Sequence, residues 1–324
     1  MTRPARLRRH VMITASALLL ALVVAPRPAI GQAAAPAAPA SASAPADGTA
    51  LLAAITALTA PGMEGRGTGT DGARRAQAWI EARLAALGVR PALPTGFAVP
   101  FRFTNTAGVT ATGTNLVARC EGRRADAPYL VVSAHYDHLG IRNGRTYHGA
   151  DDNASGVAML LHVAARCART PFEHPLLLAF FDAEEAGLQG AQAFVKAPPV
   201  PAGRLALNVN FDMVSRSATR EIFVAGPGRW PALRPILEPA VAKAPVTVRF
   251  GHDTGGGQND WTTQSDHGAF HAAGIPFVYF GVEDHPDYHQ PTDTADKIAP
   301  DFLSGVATVV LRAIDALDRA SAYR

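Results

Sequence analysis

The run LLLAFF (176–181) is apolar at every position, and within four residues of its end the chain places Asp182, Glu184 and Glu185. Six unbroken apolar residues fit a strand covered on both faces, and such a strand requires helices on either side. Two further runs repeat the design: YLVVSA (129–134) leads into His135, Tyr136 and Asp137, and ALNVNF (206–211) leads into Asp212. Helical periodicity marks LLAAITAL (51–58), TDGARRAQAWIEARLAALG (70–88), SGVAMLLHVAARCA (155–168) and LQGAQAFVKA (188–197). It returns in PALRPILEPAVAKA (231–244), near 266–273 and in FLSGVATVVLRAIDALDRA (302–320), while FAVPFRF, NLVARC, VTVRF and PFVYF (276–280) have strand character. Strands alternating with helices predict an α/β domain with a central mixed, mainly parallel β-sheet flanked by helices. In such sheets ligands gather where the carboxyl ends of the strands emerge.

The amino-terminal region has a different character. Arg3, Arg6, Arg8 and Arg9 precede an apolar run, VMITASALLLALVV (11–24), which is followed by PAIGQA with small residues at Ala29 and Gly31. This pattern predicts a cleaved signal peptide over 1–31 and an exported protein, periplasmic or secreted. The run is shorter than the roughly 20 residues that span a bilayer, so no stable membrane anchor is expected, and no cysteine stands nearby to carry a lipid. The Ala/Pro/Ser tract at 32–48 reads as a tether, and 49–324 as one domain without internal repeats. Residues 1–31 carry five arginines and no acid, so cleavage turns the formal charge from +3 to −2 and removes any case for nucleic-acid binding. Cys120 and Cys167 would be free to pair in an exported chain, but their spacing alone leaves a disulfide open.

Two more segments add candidates: GADDNASG (149–156), with Asp151 and Asp152 just before a helix, and EDHPDYHQPTDTADK (283–297), with His285 and His289. Singly, each has an ordinary explanation as a helix cap, a solvated strand end or an isolated histidine. Together, so many carboxylates on one rim without basic partners require cations, and mixed Asp, Glu and His donors suit zinc or a similar divalent metal. The glycine-rich GHDTGGGQNDW (251–261) lacks the strand–GxGxxG–helix context of a nucleotide site and reads as a loop over the active site. Trp261 and Tyr288 are candidates for substrate contact.

The segments SAHYDHLG, HGADDNASG, FFDAEEAGLQGA, NFDM and DYHQPTDT, in this order, closely resemble the metal-binding segments of the M28 family of zinc aminopeptidases. The resemblance extends upstream to GMEGRGTGTDGARRAQAWIEARLAALG and downstream to QSDHGAFHAAGIPFVYFG, from about residue 60 onward. It implies two zinc ions per chain, one held by His135 and Asp212, the other by Glu185 and His289, with Asp152 between them. Asp137 would orient His135, and Glu184, left unbound, would be the general base that activates a water. His285 competes with His289, but YHQPTD is the better match, and no metal role falls to His138, Asp182 or Asp266. The implied activity is removal of N-terminal residues from peptide substrates with a free N-terminus.

Three rivals are compatible with parts of this pattern. A glutaminyl cyclase of related fold uses a single zinc and shares HYD and FFDAEEA, but departs from the DNASG core that is intact here. A non-catalytic ectodomain would be expected to have lost a ligand or the base, and neither is missing. Carboxypeptidase activity stays open because the choice of terminus depends on what anchors the substrate end. The stretch 92–127 is too short to hold an inserted domain, so a compact single-domain enzyme is expected.

Overall fold

The computed structural model describes residues 48–104, 108–257 and 259–324. The expected signal peptide and all of the tether except Gly48 lie outside the described residues. The described residues belong to a single compact unit.

The largest sheet contains β1 (Arg90–Pro91), β2 (Ala98–Thr104), β3 (Thr110–Cys120), β4 (Tyr129–His135), β7 (Leu176–Phe181), β8 (Leu205–Phe211), β9 (Glu221–Ala225), β10 (Thr247–Phe250) and β11 (Phe277–Gly281). A small separate hairpin joins β5 (Ile141–Arg142) to β6 (Arg145–Thr146). The strand order is β1-β3-β7-β4-β8-β11-β9-β10, with β2 also paired to β3. At the centre β7, β4, β8 and β11 run parallel; β3 is antiparallel to β7, and β9 is antiparallel to β11. The sheet is therefore mixed: parallel at its centre, antiparallel through β3 to β1 and β2 on one side, and on the other reversing at β9, to which the edge strand β10 pairs in parallel.

The apolar run of β7 divides by parity. Leu176, Leu178 and Phe180 enter the core on one face, and Leu177, Ala179 and Phe181 the core on the other. On the first face lie α1 (Gly48–Leu58), α2 (Asp71–Ala86), α3 (Gly156–Arg169), α5 (Arg234–Val241) and α7 (Pro300–Asp318). The second is covered by α4 (Gln189–Lys196) and α6 (His267–Ala272). Two faces with two helical layers explain why β7 has no polar alternation; in β8 the buried Asn208 and Asn210 hydrogen-bond to Ser133 and Ser265 instead. Thr70 caps α2 by accepting a hydrogen bond from the Ala73 amide at 3.2 Å, and Gly88, at φ +73°, follows its last turn.

A disulfide joins Cys120, the last residue of β3, to Cys167 near the end of α3, with Cα atoms 6.3 Å apart. Among the described residues no helix is long and apolar enough to cross a membrane.

Candidate active site

Four neighbouring parallel strands end on one edge of the sheet, and each delivers candidate donors there. His135 is the last residue of β4, Glu184 and Glu185 follow β7, Asp212 follows β8, and the segment after β11 carries His289. Asp152 arrives from an irregular turn, Ala150–Ser155, that precedes α3. The six side chains expected as ligands or base converge. His135 Nε2 lies 3.2 Å from Asp212 Oδ1, 3.5 Å from Asp152 Oδ1 and 4.0 Å from Glu184 Oε2. His289 Nε2 lies 3.1 Å from Asp152 Oδ2 and 3.3 Å from Glu185 Oε2. Asp152 thus turns one oxygen to each half of the cluster.

The loops that carry these residues are held by side chains with no role in the expected ligand set. The Asp182 carboxylate accepts from the amides of Thr114 and Ala183 and from Thr68 Oγ1, each at 2.8 Å. It fixes the turn through Ala183, a non-glycine residue at φ +57°. Met213 (φ +56°), next to Asp212, and His289 (φ +53°) share that left-handed region, which costs an L-residue on the order of 1–3 kcal/mol and persists only when the surroundings enforce it. Asp137 accepts from the amides of Glu184 (3.1 Å) and Glu185 (3.4 Å), so one carboxylate sets the direction in which both glutamates leave the strand. Its Oδ1 stands 3.7 Å from His135 Nδ1, whereas its own carbonyl oxygen is nearer at 3.2 Å.

Asp151 points away from Asp152. Its carboxylate accepts from the Ser215 amide (2.8 Å) and hydroxyl (2.6 Å), and His285 Nε2 approaches it at 3.2 Å, which occupies His285 outside the metal-type cluster. Asp293 accepts from the amides of Asp151 and Asp152, and Asn153 donates to the Phe211 carbonyl, tying the turn to the end of β8. The short helical segment Pro61–Arg66 ends in a fully buried guanidinium. Arg66 donates to the carbonyls of Tyr136, Leu58, His148 and Gly149 at 2.7–2.8 Å. Burial lowers its pKa to about 10, against the fields of Asp152, Asp293, Asp137 and Glu185, so it stays charged at neutral pH. Hydrogen bonds to carbonyl oxygens leave no motif, and the GR of GMEGRGTGT was the only sequence hint of this residue.

The electrostatics are those of an anionic cluster short of cations. Burial pushes Glu184 well above the usual carboxylate range; His135 opposes the rise, and Asp212, Asp266 and Glu185 add to it. Burial pushes Asp266 up to about 8, with Asp137 and Asp212 reinforcing the rise against His135. His289 goes the other way: despite partial burial, Asp152 and Glu185 raise it to about 10. Asp152 is raised by burial and by its carboxylate neighbours, with His138 and His289 opposing.

The donors fit a pair of divalent ions. Atoms about 2.0–2.1 Å from a tetrahedral ion stand about 3.3 Å from one another, which is the spacing of the four contacts between 3.1 and 3.5 Å given above. Two triads have donor atoms within 4.8 Å of one another: His135, Glu184 and Asp212, and His138, Asp152 and Glu185. His138, to which the sequence gives no metal role, belongs to the second triad. Its signal is a histidine three positions beyond His135, the last residue of β4.

A cavity of about 70 Å³ opens on the cluster. Asp152, Glu184, Glu185, Asp212, Asp284 and His289 supply its polar lining, and no Arg or Lys lines it. Met213, Trp261, Gln264, Tyr279, Val282 and Tyr288 form the remaining wall. His252 stacks on Trp261 at 3.7 Å, and Tyr288 on His289 at 3.9 Å, so the glycine-rich segment does carry an aromatic ring to the site. A larger groove of about 420 Å³ between α1, α2 and α3, with Leu51, Trp79 and Leu161 in its wall, is mostly apolar and lacks the carboxylate cluster.

Comparison with known proteins follows the same lines. The profile of Peptidase family M28 matches residues 115–314. The aminopeptidase YwaD of Bacillus subtilis is 28% identical over 222 residues, which cover 63% of this chain and 44% of that protein. The match thus spans less than half the length of that relative. Among solved structures, a zinc aminopeptidase from Bacillus subtilis superposes with a TM-score of 0.66 at 18% identity, covering 86% of this chain and 97% of the other. The glutaminyl cyclase of Porphyromonas gingivalis reaches 0.68 at 19% identity, covering 83% and 98%. At these identities the likeness is one of fold, and that fold serves both reactions.

Proposed function

The chain belongs to peptidase family M28, and on that premise we propose that it is a zinc-dependent aminopeptidase that hydrolyses the first peptide bond of substrates with a free N-terminus. The observation that carries this reading is the lining of the cavity, which beside the expected ligands and base holds Asp284 and no Arg or Lys. The ligand carboxylates are offset by the charge of the ions, so the choice of terminus rests on what is left: an N-terminal ammonium meets a free carboxylate, whereas a C-terminal carboxylate finds no Arg or Lys to anchor it. Asp284, on the cavity wall beside the cluster, is a carboxylate free of the ligand set and placed to meet that ammonium.

In this reading His135, Asp212 and Asp152 hold one zinc ion, and Asp152, Glu185 and His289 a second. When bound, the ions would polarise the scissile carbonyl and lower the pKa of water toward about 7. The remaining steps belong to the chain. Glu184 takes a proton from the attacking water and returns it to the departing amine nitrogen. Asp137 fixes the amides of both glutamates and so keeps the base apart from the ligand. Trp261 and Tyr288 border the space for the substrate side chain. Export remains part of the proposal, with 1–31 as signal peptide, 32–48 as tether and 49–324 as the peptidase domain; the disulfide fits an oxidising compartment.

The test is metal content together with turnover of aminoacyl anilides, their N-acetylated counterparts and a peptide beginning with glutamine. About two zincs per chain, chelator-sensitive release from free anilides and none from acetylated ones are expected. One zinc with cyclisation of the glutamine peptide would replace this reading with the cyclase.

A further inference from the structure

His138 leaves β4 three residues beyond His135, and Gly149 (φ +58°) fixes where its ring goes. A Cβ at that glycine would collide with the ring and with the Asp152 carbonyl, so the turn presses the imidazole into the cluster. The side chain is buried, with the residue only 2% exposed, and neither ring nitrogen has a hydrogen-bond partner. Nearby histidines are provided for: His148 Nδ1 lies 3.0 Å from the Thr59 carbonyl, and His285 meets Asp151. His138 Nδ1 stands 2.7 Å from Glu185 Oε1 and 3.5 Å from Asp152 Oδ2. The shorter approach is not aligned as a hydrogen bond, and Glu185 Oε1 is itself buried without one. Two donor atoms that close, each lacking a partner, have the relation of two ligands to a shared cation.

We propose that His138 is a fourth protein ligand at the metal position formed by Asp152, Glu185 and His289. This rests on the dinuclear reading above and deepens it. Four protein donors complete a tetrahedral zinc shell, as in sites that hold structure, whereas three leave a place for water or substrate. The position of His135, Asp212 and Asp152 is then the open one, and it is the one Glu184 faces. The two ions would then be unequal, one with four protein donors and the other with three.

The deciding experiment uses the wild-type protein loaded with NMR-active cadmium and nitrogen-labelled histidine, so no variant has to fold. Three imidazoles coupled to cadmium, those of His135, His138 and His289, are expected; only two, with His138 uncoupled, overturns the proposal. Zinc titration of His138→Gln against a competing chelator adds a second measure. One of the two affinities should fall by more than the roughly 10–100-fold typical of losing a mere supporting hydrogen bond, with the other unchanged. Unchanged affinities for both ions count against ligation. A wild type that binds fewer than two ions defeats the dinuclear reading itself, an outcome distinct from two ions bound without His138.

Discussion

The parallel centre and the antiparallel flank of the sheet differ in what they can gather. Because β7, β4, β8 and β11 point the same way, their carboxyl ends lie on one edge, and every candidate ligand except Asp152 leaves a strand there. β3 runs against β7, with Cys120 facing Leu176, so its carboxyl end lies at the opposite edge of the sheet. The flank supplies support in place of ligands. Thr114 of β3 donates its amide to Asp182 and accepts from the Tyr136 hydroxyl, and Asn115 donates to the Gly190 carbonyl. Strand direction decides which part of the sheet performs chemistry and which part braces it.

If that division holds, substitutions at the centre should cost activity with stability spared, and those at the flank the reverse. The largest effect is expected for Glu184→Gln, a near-isosteric change that removes the base. Loss of general-base catalysis typically costs a factor of about 10² to 10⁴, so kcat should fall by that much with metal content and thermal midpoint unchanged. Glu185→Gln should instead lower metal content. Equal metal loss in the two variants would show that the adjacent glutamates do not divide the work.

The flank's counterpart is the disulfide between Cys120 and Cys167, which closes a loop over a sequence separation of 47. In the chain-entropy model a loop of that size stabilises by about 4 kcal/mol. The double variant Cys120→Ser, Cys167→Ser should lose stability of that order in urea unfolding while its folded fraction keeps wild-type kcat. A drop in kcat per folded molecule would mean that the brace also shapes the site.

The contrast also explains what the sequence conveyed. Segments such as LLLAFF, SGVAMLLHVAARCA and FLSGVATVVLRAIDALDRA are long and strongly patterned, and each became one element because tertiary burial agreed with local period. EIFVA, which forms β9, was passed over; five residues between polar and glycine-rich neighbours carry too little pattern, and its place beside β11 comes from pairing alone. Convergence of His135, Glu184, Glu185 and Asp212 was legible because strand exits in a parallel sheet share an edge, whereas His289 stood out from His285 only through the resemblance of YHQPTD to a family motif. Asp137's grip on two backbone amides and Arg66's four carbonyl contacts were not, since backbone partners have no identity in a sequence.

One residue beneath the site tests how far the centre's stability depends on a neutral imidazole. His267 opens α6, packs its ring against Phe277 and Tyr279, and meets the Trp261 carbonyl through Nε2 at 2.7 Å. Burial lowers its pKa to about 4, outweighing the Trp261 hydrogen bond and Asp212, which raise it, while His271 adds to the lowering. Above pH 6.5 the imidazole is neutral whether folded or unfolded and contributes no pH dependence. Between about 6.5 and 4 the unfolded chain takes up a proton that the folded one refuses, so stability falls with falling pH and levels off below the folded value. A displacement from 6.5 to about 4 corresponds to about 3 kcal/mol. In chelator, so that metal release is common to both proteins, wild type should lose about that much more than His267→Gln between neutral pH and pH 4. A constant gap between the two stability curves across that window would place the proton on His267 in both states and remove the penalty.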